Sequence, residues 1–328
     1  MEVPASRPLS RADLQRAILG HEPGLTSDEV AEQAGMPVAD ARRLWRALGF
    51  PEPGEEAAFG TADAEALAAI RAAAGEEGLE LDTLVRMTRA VGRTIARLAD
   101  WELAILNSEV ERLAPDNRLG IAHHLAGTIG PQFESLLVYA WRRHMAAAVS
   151  RIELLGDHED DQHVAEATVG FADLVSFTAL TNRLDEDEIG DLVEIFESRC
   201  HDVVADRRGR VVKTLGDSVL FLADAPDEGI DIALDIIGVI GRDERLPDVR
   251  LGLATGPVVL RMGDVYGPSV NLAARLTTVA RRNRVIIDEH TAELLPAAEF
   301  ETRRLPARPV RGFGDIEPIT VRRTRPRH

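Results

Sequence analysis

The sequence predicts an α+β protein, on three observations. Helical periodicity alone runs through the first half, while the second half alternates apolar strands and helices in the order strand, helix, hairpin, helix, strand. That order is the split βαβ, ferredoxin-like arrangement (βαββαβ). Between the halves, Gly156–His163 (Gly-Asp-His-Glu-Asp-Asp-Gln-His) is a short acidic run. The expected division is therefore a helical region at 1–155, a linker at 156–163 and a mixed domain at 164–328.

Composition narrows the possible functions. The chain of 328 residues is long enough for two domains, and 45% hydrophobic content with 4% aromatics supports cores built from Ala, Leu, Val and Ile. A net charge of −17 argues against general binding to nucleic acid or anionic membranes, whose phosphates need a basic surface. No apolar run approaches the ~20 residues of a membrane span; even Ile230–Ile240 carries Asp231 and Asp235. The N-terminus, Met-Glu-Val-Pro, lacks the profile of a signal peptide. The one cysteine, Cys200, excludes an internal disulfide framework, fits a reducing cytoplasm and lies in a helical apolar pattern as a core residue.

Within the helical half, residues 1 to about 24 are polar, with an amphipathic fragment at Leu14–Leu19. Leu25–Pro51 outlines a helix-turn-helix: Thr26 or Ser27 caps a short helix, Gly35 ends it, and a second helix stops near Gly49-Phe50-Pro51. This outline resembles the first part of a MerR-like DNA-binding module. The second helix offers Arg42, Arg43 and Arg46, but the first carries Asp28, Glu29 and Glu32, which favours a structural or regulatory use over operator binding. Helices are expected at Asp63–Ala74 and from Leu79 to about Leu113. Pro115–Asn117 and Gly130-Pro131 are each expected to break the pattern, leaving a last long helix from about Gln132 to Leu155. The apolar faces of these helices must meet each other, a second copy of the chain, or an apolar, fatty-acid-like ligand.

In the linker, His158 and His163 sit among carboxylates that would raise their pKa, so the segment is either a pH-sensing element or a plain solvated connection. Beyond it, Ala167–Val175 reads as a strand, Glu186–Val204 as a helix, Gly209–Leu222 as a hairpin turning at Gly216-Asp217, and Asp227–Ile240 as a helix. Val249–Thr255 and Val258–Arg261 are expected to form another hairpin around Gly256-Pro257. Ser269–Ala280 is then helical, Val285–Asp288 a strand and Thr291–Leu294 a short helix, with strands near Phe300 and Ile319.

The ferredoxin-like order places the first strand beside the third, so Asp173 falls next to Asp217 in the hairpin turn. Two carboxylates at one sheet edge repel, and Mg²⁺ suits them because it takes one or two protein carboxylates and completes its shell with water and phosphate oxygens. After Asp173 the chain turns at Ser176-Phe177-Thr178 into a helix, whose free N–H groups suit a polyphosphate. Lys213, before the turn, is the only lysine; all other members of the 38 basic residues are arginine. A compact ammonium is not interchangeable with a guanidinium at a tight site. Further on, Asn271 and Arg275 are four apart and share a helix face, where a neutral hydrogen-bonding group and a fixed cation can orient a sugar hydroxyl and stabilise charge on phosphorus.

Taken together, Asp173, Lys213, Asp217, Asp264, Asn271 and Arg275, in this order and spacing, resemble the class III nucleotidyl cyclase catalytic domain over about residues 164–328. The resemblance implies that Asp173 and Asp217 hold two Mg²⁺ or Mn²⁺ ions per active site. It implies that Lys213 and Asp264 read the adenine edge of ATP, where a guanylyl cyclase would carry Glu and Cys-like residues; Phe177 and Thr178, at the turn into the helix with free N–H groups, are the expected substrate-binding residues beside them. Asn271 and Arg275 match the transition-state pair, which in this family comes from a second catalytic domain, so a homodimer with two sites is implied. The implied reaction is conversion of ATP to 3′,5′-cyclic AMP and pyrophosphate. No side chain stands out as general base, leaving water, a substrate phosphate or a carboxylate to take the proton. The short interval from Val258 to Tyr266 is similar to the short-armed bacterial group, in which a helical regulatory domain precedes the cyclase domain. Two other readings stand beside it: a nucleotide-binding signalling module without turnover, and a DNA-binding regulator using Leu25–Pro51.

Overall fold

The computed structural model describes residues 9–324 except 52, 53, 55, 75–77, 114, 155–163 and 262. His158, His163 and the rest of the acidic linker lie outside the described residues. The chain divides into two compact units, residues 1–154 and 155–328.

The first unit is all-helical: α1 (Arg11–Leu19), α2 (Ser27–Gln33), α3 (Val38–Leu48), α4 (Thr61–Ala72), α5 (Leu81–Leu113) and α6 (Arg118–Leu154). Thr26 caps α2 through a reciprocal pairing with Glu29, and Gly49 ends α3 in the left-handed conformation. Val30, Ala31, Leu44, Leu67 and Val85 form the core, with Trp45 stacked on Phe59 at 4.5 Å between ring centres. Arg42 pairs with Asp28 at 3.2 Å and Arg43 with Asp82 at 2.5 Å, so these arginines of the helix-turn-helix are engaged within the unit. The helix break expected at Gly130-Pro131 does not occur, and α6 runs through Pro131. A proline inside a helix costs about 3 kcal/mol, a local penalty that the many hydrogen bonds of a 37-residue helix outweigh. Both long helices leave large side chains exposed, among them Val91, Ile95, Trp101 and Leu103 on α5 and Leu136, Tyr139, Trp141 and Met145 on α6.

The second unit contains β1 (Val164–Leu174), α7 (Phe177–Thr181), α8 (Glu186–Asp206), β2 (Arg210–Leu215), β3 (Ser218–Ala223), α9 (Pro226–Ile240), β4 (Val249–Arg261), β5 (Asp264–Tyr266), α10 (Pro268–Val279), β6 (Val285–Ile287), α11 (Glu289–Leu294), β7 (Phe300–Arg304), β8 (Arg308–Val310), β9 (Gly314–Ile316) and β10 (Ile319–Arg323). Its main sheet has the order β2-β3-β1-β4-β6-β10-β7, and β5 pairs with the far end of β4. The first four strands of that order are the ferredoxin-like arrangement, with β1 antiparallel to both β3 and β4 and β6 added parallel to β4.

The two faces of the sheet are covered differently. Ala172, Leu174, Phe221, Leu251 and Leu253 pack with Phe196 of α8 and Ile232 and Ile236 of α9. On the other face Val169, Leu220 and Ala254 pack with Ala273 and Leu276 of α10. Gly252 permits that contact, since a Cβ there would lie 2.2 Å from the Thr277 backbone nitrogen.

The hairpin expected at Gly256-Pro257 is instead one straight strand. β4 pairs with β1 without interruption from Val249↔Leu174 to Val259↔Val164, and the chain reverses only between Arg261 and Asp264. Eleven residue pairs of ladder override a local turn signal. The small β8–β9 hairpin was not anticipated, although Gly312 and Gly314, both at positive φ, mark its turn.

Candidate active site

Strand alternation decides which side chains meet. Ala172 and Leu174 point to the α8–α9 face, so Asp173 between them emerges on the α10 face. Its neighbours across the ladder are Ser218 on β3 and Arg250 on β4. Ser218 Oγ donates to Asp173 Oδ1, while Arg250 Nε and Nη2 lie 2.7 and 2.6 Å from Oδ2. Asp217 occupies the β2–β3 turn with Gly216 at φ 64°, and its carbonyl accepts from Leu174 N–H at 3.0 Å, which ties the turn to the end of β1. Burial, then the charge of Asp173, push the Asp217 carboxyl above its usual range, partly offset by a backbone hydrogen bond and by Arg250.

This strain on the carboxylate pair is what a divalent cation would relieve. No group of three His, Cys, Asp or Glu side chains with metal-binding geometry exists among the described residues. Asp173 and Asp217 offer two carboxylates, a set that would fit a hard cation completing its shell with water and phosphate oxygens.

Lys213 lies opposite Leu220, whose side chain faces α10, and so shares the face of Asp173. A shift in the β2 register between Val211 and Lys213 accompanies this placement. Lys213 Nζ lies 2.6 Å from Asp264 Oδ2 at the start of β5. Burial opposes the charge on Asp264, but the Lys213 ammonium, the Val265 N–H at 2.8 Å and the Tyr266 hydroxyl together hold its carboxyl below the usual range. Both partners stay partly exposed, at 35% and 26% of their side chains, so the pair is open to a ligand.

Among the described residues, no side-chain hydrogen bond or ion pair joins the remaining site residues to these two pairs. Ser176 takes φ 61° to swing the chain from β1 into α7. The Phe177 side chain packs against the α8–α9 core, so toward a ligand it offers backbone, whereas Thr178 is exposed. Asn271 and Arg275 stand exposed on one face of α10. Among the described residues neither side chain forms a hydrogen bond or ion pair, and none joins them to Asp173 or Asp217. Three contributors were missed from sequence: Ser218, Arg250 and Tyr266. Arg250 left one legible sign, a charge inside the apolar run Val249-Arg250-Leu251-Gly252-Leu253.

Residues 159–322 match the Adenylate and Guanylate cyclase catalytic domain family. The chain is 39% identical to the adenylate cyclase of Streptomyces coelicolor, over 94% of this chain and 89% of that protein. It is 35% identical to the adenylate cyclase of Glutamicibacter nicotianae, over 98% of this chain and 85% of that one. The chain belongs to the class III nucleotidyl cyclase family. Because both alignments extend well beyond residues 159–322, the helical first unit is shared with these relatives as well as the cyclase domain. Among the described residues of this cyclase, no helix is long and apolar enough to cross a membrane.

Proposed function

We propose that the chain is an adenylate cyclase that converts ATP to 3′,5′-cyclic AMP and pyrophosphate in a site shared by two copies. The observation that carries the base preference is the Lys213–Asp264 contact at 2.6 Å, which sets an ammonium donor beside a charged acceptor on the sheet face that also bears the carboxylates. Adenine offers a ring nitrogen to accept from Lys213 and an exocyclic amine to donate to Asp264. Guanine presents a carbonyl where adenine has the amine, and it would face the Asp264 carboxylate with no proton to give.

Asp173 and Asp217 would hold Mg²⁺ or Mn²⁺, two ions per site, with the substrate phosphates completing the shell. Bound there, such ions neutralise the triphosphate and make the ribose 3′-hydroxyl more acidic. The first-turn N–H groups of α7, at Phe177 and Thr178, suit the polyphosphate. Asn271 would orient the ribose, and Arg275 would stabilise charge on the α-phosphorus as pyrophosphate departs in line.

The exposure of Asn271 and Arg275 supports the shared site: among the described residues neither side chain forms a hydrogen bond or ion pair, with the carboxylates or otherwise. A second copy supplies the missing half. The exposed rows on α5 and α6, including Trp101 at 58% and Trp141 at 62%, offer a further surface for a copy or for a fatty-acid-like ligand. We assign the helical unit a restraining role, released by protonation of His158 or His163 or by such a ligand. Dependence on ATP and a single, fully buried thiol suit a cytoplasmic location.

The test is cyclic-nucleotide formation by the purified full-length chain with ATP and with GTP, in Mg²⁺ and in Mn²⁺. Cyclic AMP from ATP alone is expected. Cyclic GMP in equal yield would overturn the reading of Lys213 and Asp264, and turnover of neither nucleotide by full chain or second unit would overturn the enzymatic one.

A further inference from the structure

Asp173 already accepts three donors from its sheet neighbours. Oδ2 takes two N–H groups of the Arg250 guanidinium at 2.7 and 2.6 Å, and Oδ1 takes the Ser218 hydroxyl. A carboxylate has about four lone-pair positions, so little of Asp173 is left for a metal ion. The arrangement is built into the sheet. Ser218 and Arg250 sit opposite Asp173 on the two strands that flank β1, and the Asp173 side chain is only 14% exposed. Arg250 is flanked by Val249 and Leu251, both fully buried, so its backbone is anchored while its side chain, 31% exposed, has room to move.

We propose that Arg250 is a built-in counter-ion of the metal site, and that a divalent cation gains Asp173 by displacing it. This rests on the reading of Asp173 and Asp217 as metal ligands. A guanidinium carries one positive charge and satisfies one of the two carboxylates; a divalent ion between them can satisfy both. Arginine and metal therefore compete for the same oxygen, and a metal held at ~2.1 Å from Asp173 would also be repelled by a guanidinium still in place. Arg250 thus acts through Asp173 as a positioning residue. It keeps the carboxylate oriented and compensated when no metal is bound, and it weakens metal affinity in return. The metal requirement of the enzyme is set by this exchange as well as by the ligands.

The experiment is the affinity of the full-length chain for Mn²⁺ alone, without nucleotide, followed through the loss of the free-ion paramagnetic resonance signal. Four proteins are compared: wild type, Arg250→Gln, Arg250→Lys and Asp173→Asn. Arg250→Gln, which keeps a donor to hold the strand neighbour but removes the charge, is expected to bind Mn²⁺ roughly tenfold more tightly than wild type. Arg250→Lys, with its charge kept but its fork lost, is expected to fall between them. The Mn²⁺ concentration for half-maximal turnover should shift in the same order. Equal or weaker Mn²⁺ binding by folded Arg250→Gln and Arg250→Lys, with Asp173→Asn still losing it, overturns the counter-ion role and leaves the metal ligands standing. Unchanged binding by Asp173→Asn overturns the metal site itself, and this proposal with it.

Discussion

Two carboxylates of the candidate site are tuned in opposite directions. Burial and the neighbouring Asp173 push the Asp217 carboxyl above its usual range, whereas Asp264 is held below it once Lys213, Val265 and Tyr266 outweigh its burial. Of the two, Asp264 has its counter-charge in Lys213. The Lys213–Asp264 pair is where substrate choice should be most easily altered. Lys213→Glu with Asp264→Cys replaces a donor and a charged acceptor by an acceptor and a weak donor. The expected outcome is a loss of ATP cyclisation by roughly 100-fold in kcat/KM, with GTP turnover rising relative to ATP; parallel assays with both nucleotides check it. Away from the site, Cys200 is fully buried and its thiol pKa is pushed up by burial and by Glu197, which marks it as a packing residue of α8 rather than a nucleophile.

At the scale of elements, the position of α10 matters most, because it carries Asn271 and Arg275 on its outer face while its inner face seats on β4. The seat is tight at Gly252, where an added Cβ would meet the Thr277 nitrogen at 2.2 Å and the Ala273 carbonyl at 2.6 Å. These are backbone atoms of a helix, so they can yield only if the helix moves. Gly252→Ala should cost about 1–3 kcal/mol of stability, seen as a lower urea midpoint, and should lower kcat by displacing Arg275. A wild-type midpoint and rate would show that α10 shifts freely on the sheet. Two elements also show why local signals mislead. Gly256-Pro257 has the look of a turn and Pro131 of a helix break, yet both lie inside longer elements. In each case the penalty is confined to one or two residues, while pairing or helix propagation gains along the whole length.

For the whole molecule, the decisive question is where each half of a site comes from. On the proposed roles, Asp173→Ala would lack a metal ligand and Arg275→Ala the transition-state cation, so each alone should lose roughly 100- to 1000-fold in rate. Mixed in equal amounts, random pairing puts half of the dimers in the mixed form with one intact site of two, and activity should return to about one quarter of wild type. Absence of any recovery, with mixed dimers demonstrated by size and tag exchange, would show that each chain completes its own site. Restraint by the helical unit predicts that residues 164–328 alone are more active than the full chain at neutral pH, and that the difference narrows as the medium is acidified and the linker histidines gain protons. Identical pH profiles for the two would remove the regulatory reading.

Much of this protein was legible in the order of its residues. The helical half, the strand–helix–hairpin order and the pairing of Asp173 with the Asp217 turn are consequences of periodicity and turn chemistry among near neighbours. The six motif residues could be named because each sits in a short local pattern, and the family resemblance rests on them. What only the tertiary structure decided are the relations between distant strands. Asp173 and Arg250 are 77 positions apart, and Asp173 and Ser218 are 45 apart. Their contact depends on register across β3, β1 and β4, and a slip of one residue would send every side chain to the opposite face. The straight course of β4, the engagement of Arg42 and Arg43 by carboxylates and the isolation of Asn271 and Arg275 have the same origin. Each is a property of which surfaces meet, and that is fixed by packing across the fold and not by any stretch of sequence read alone.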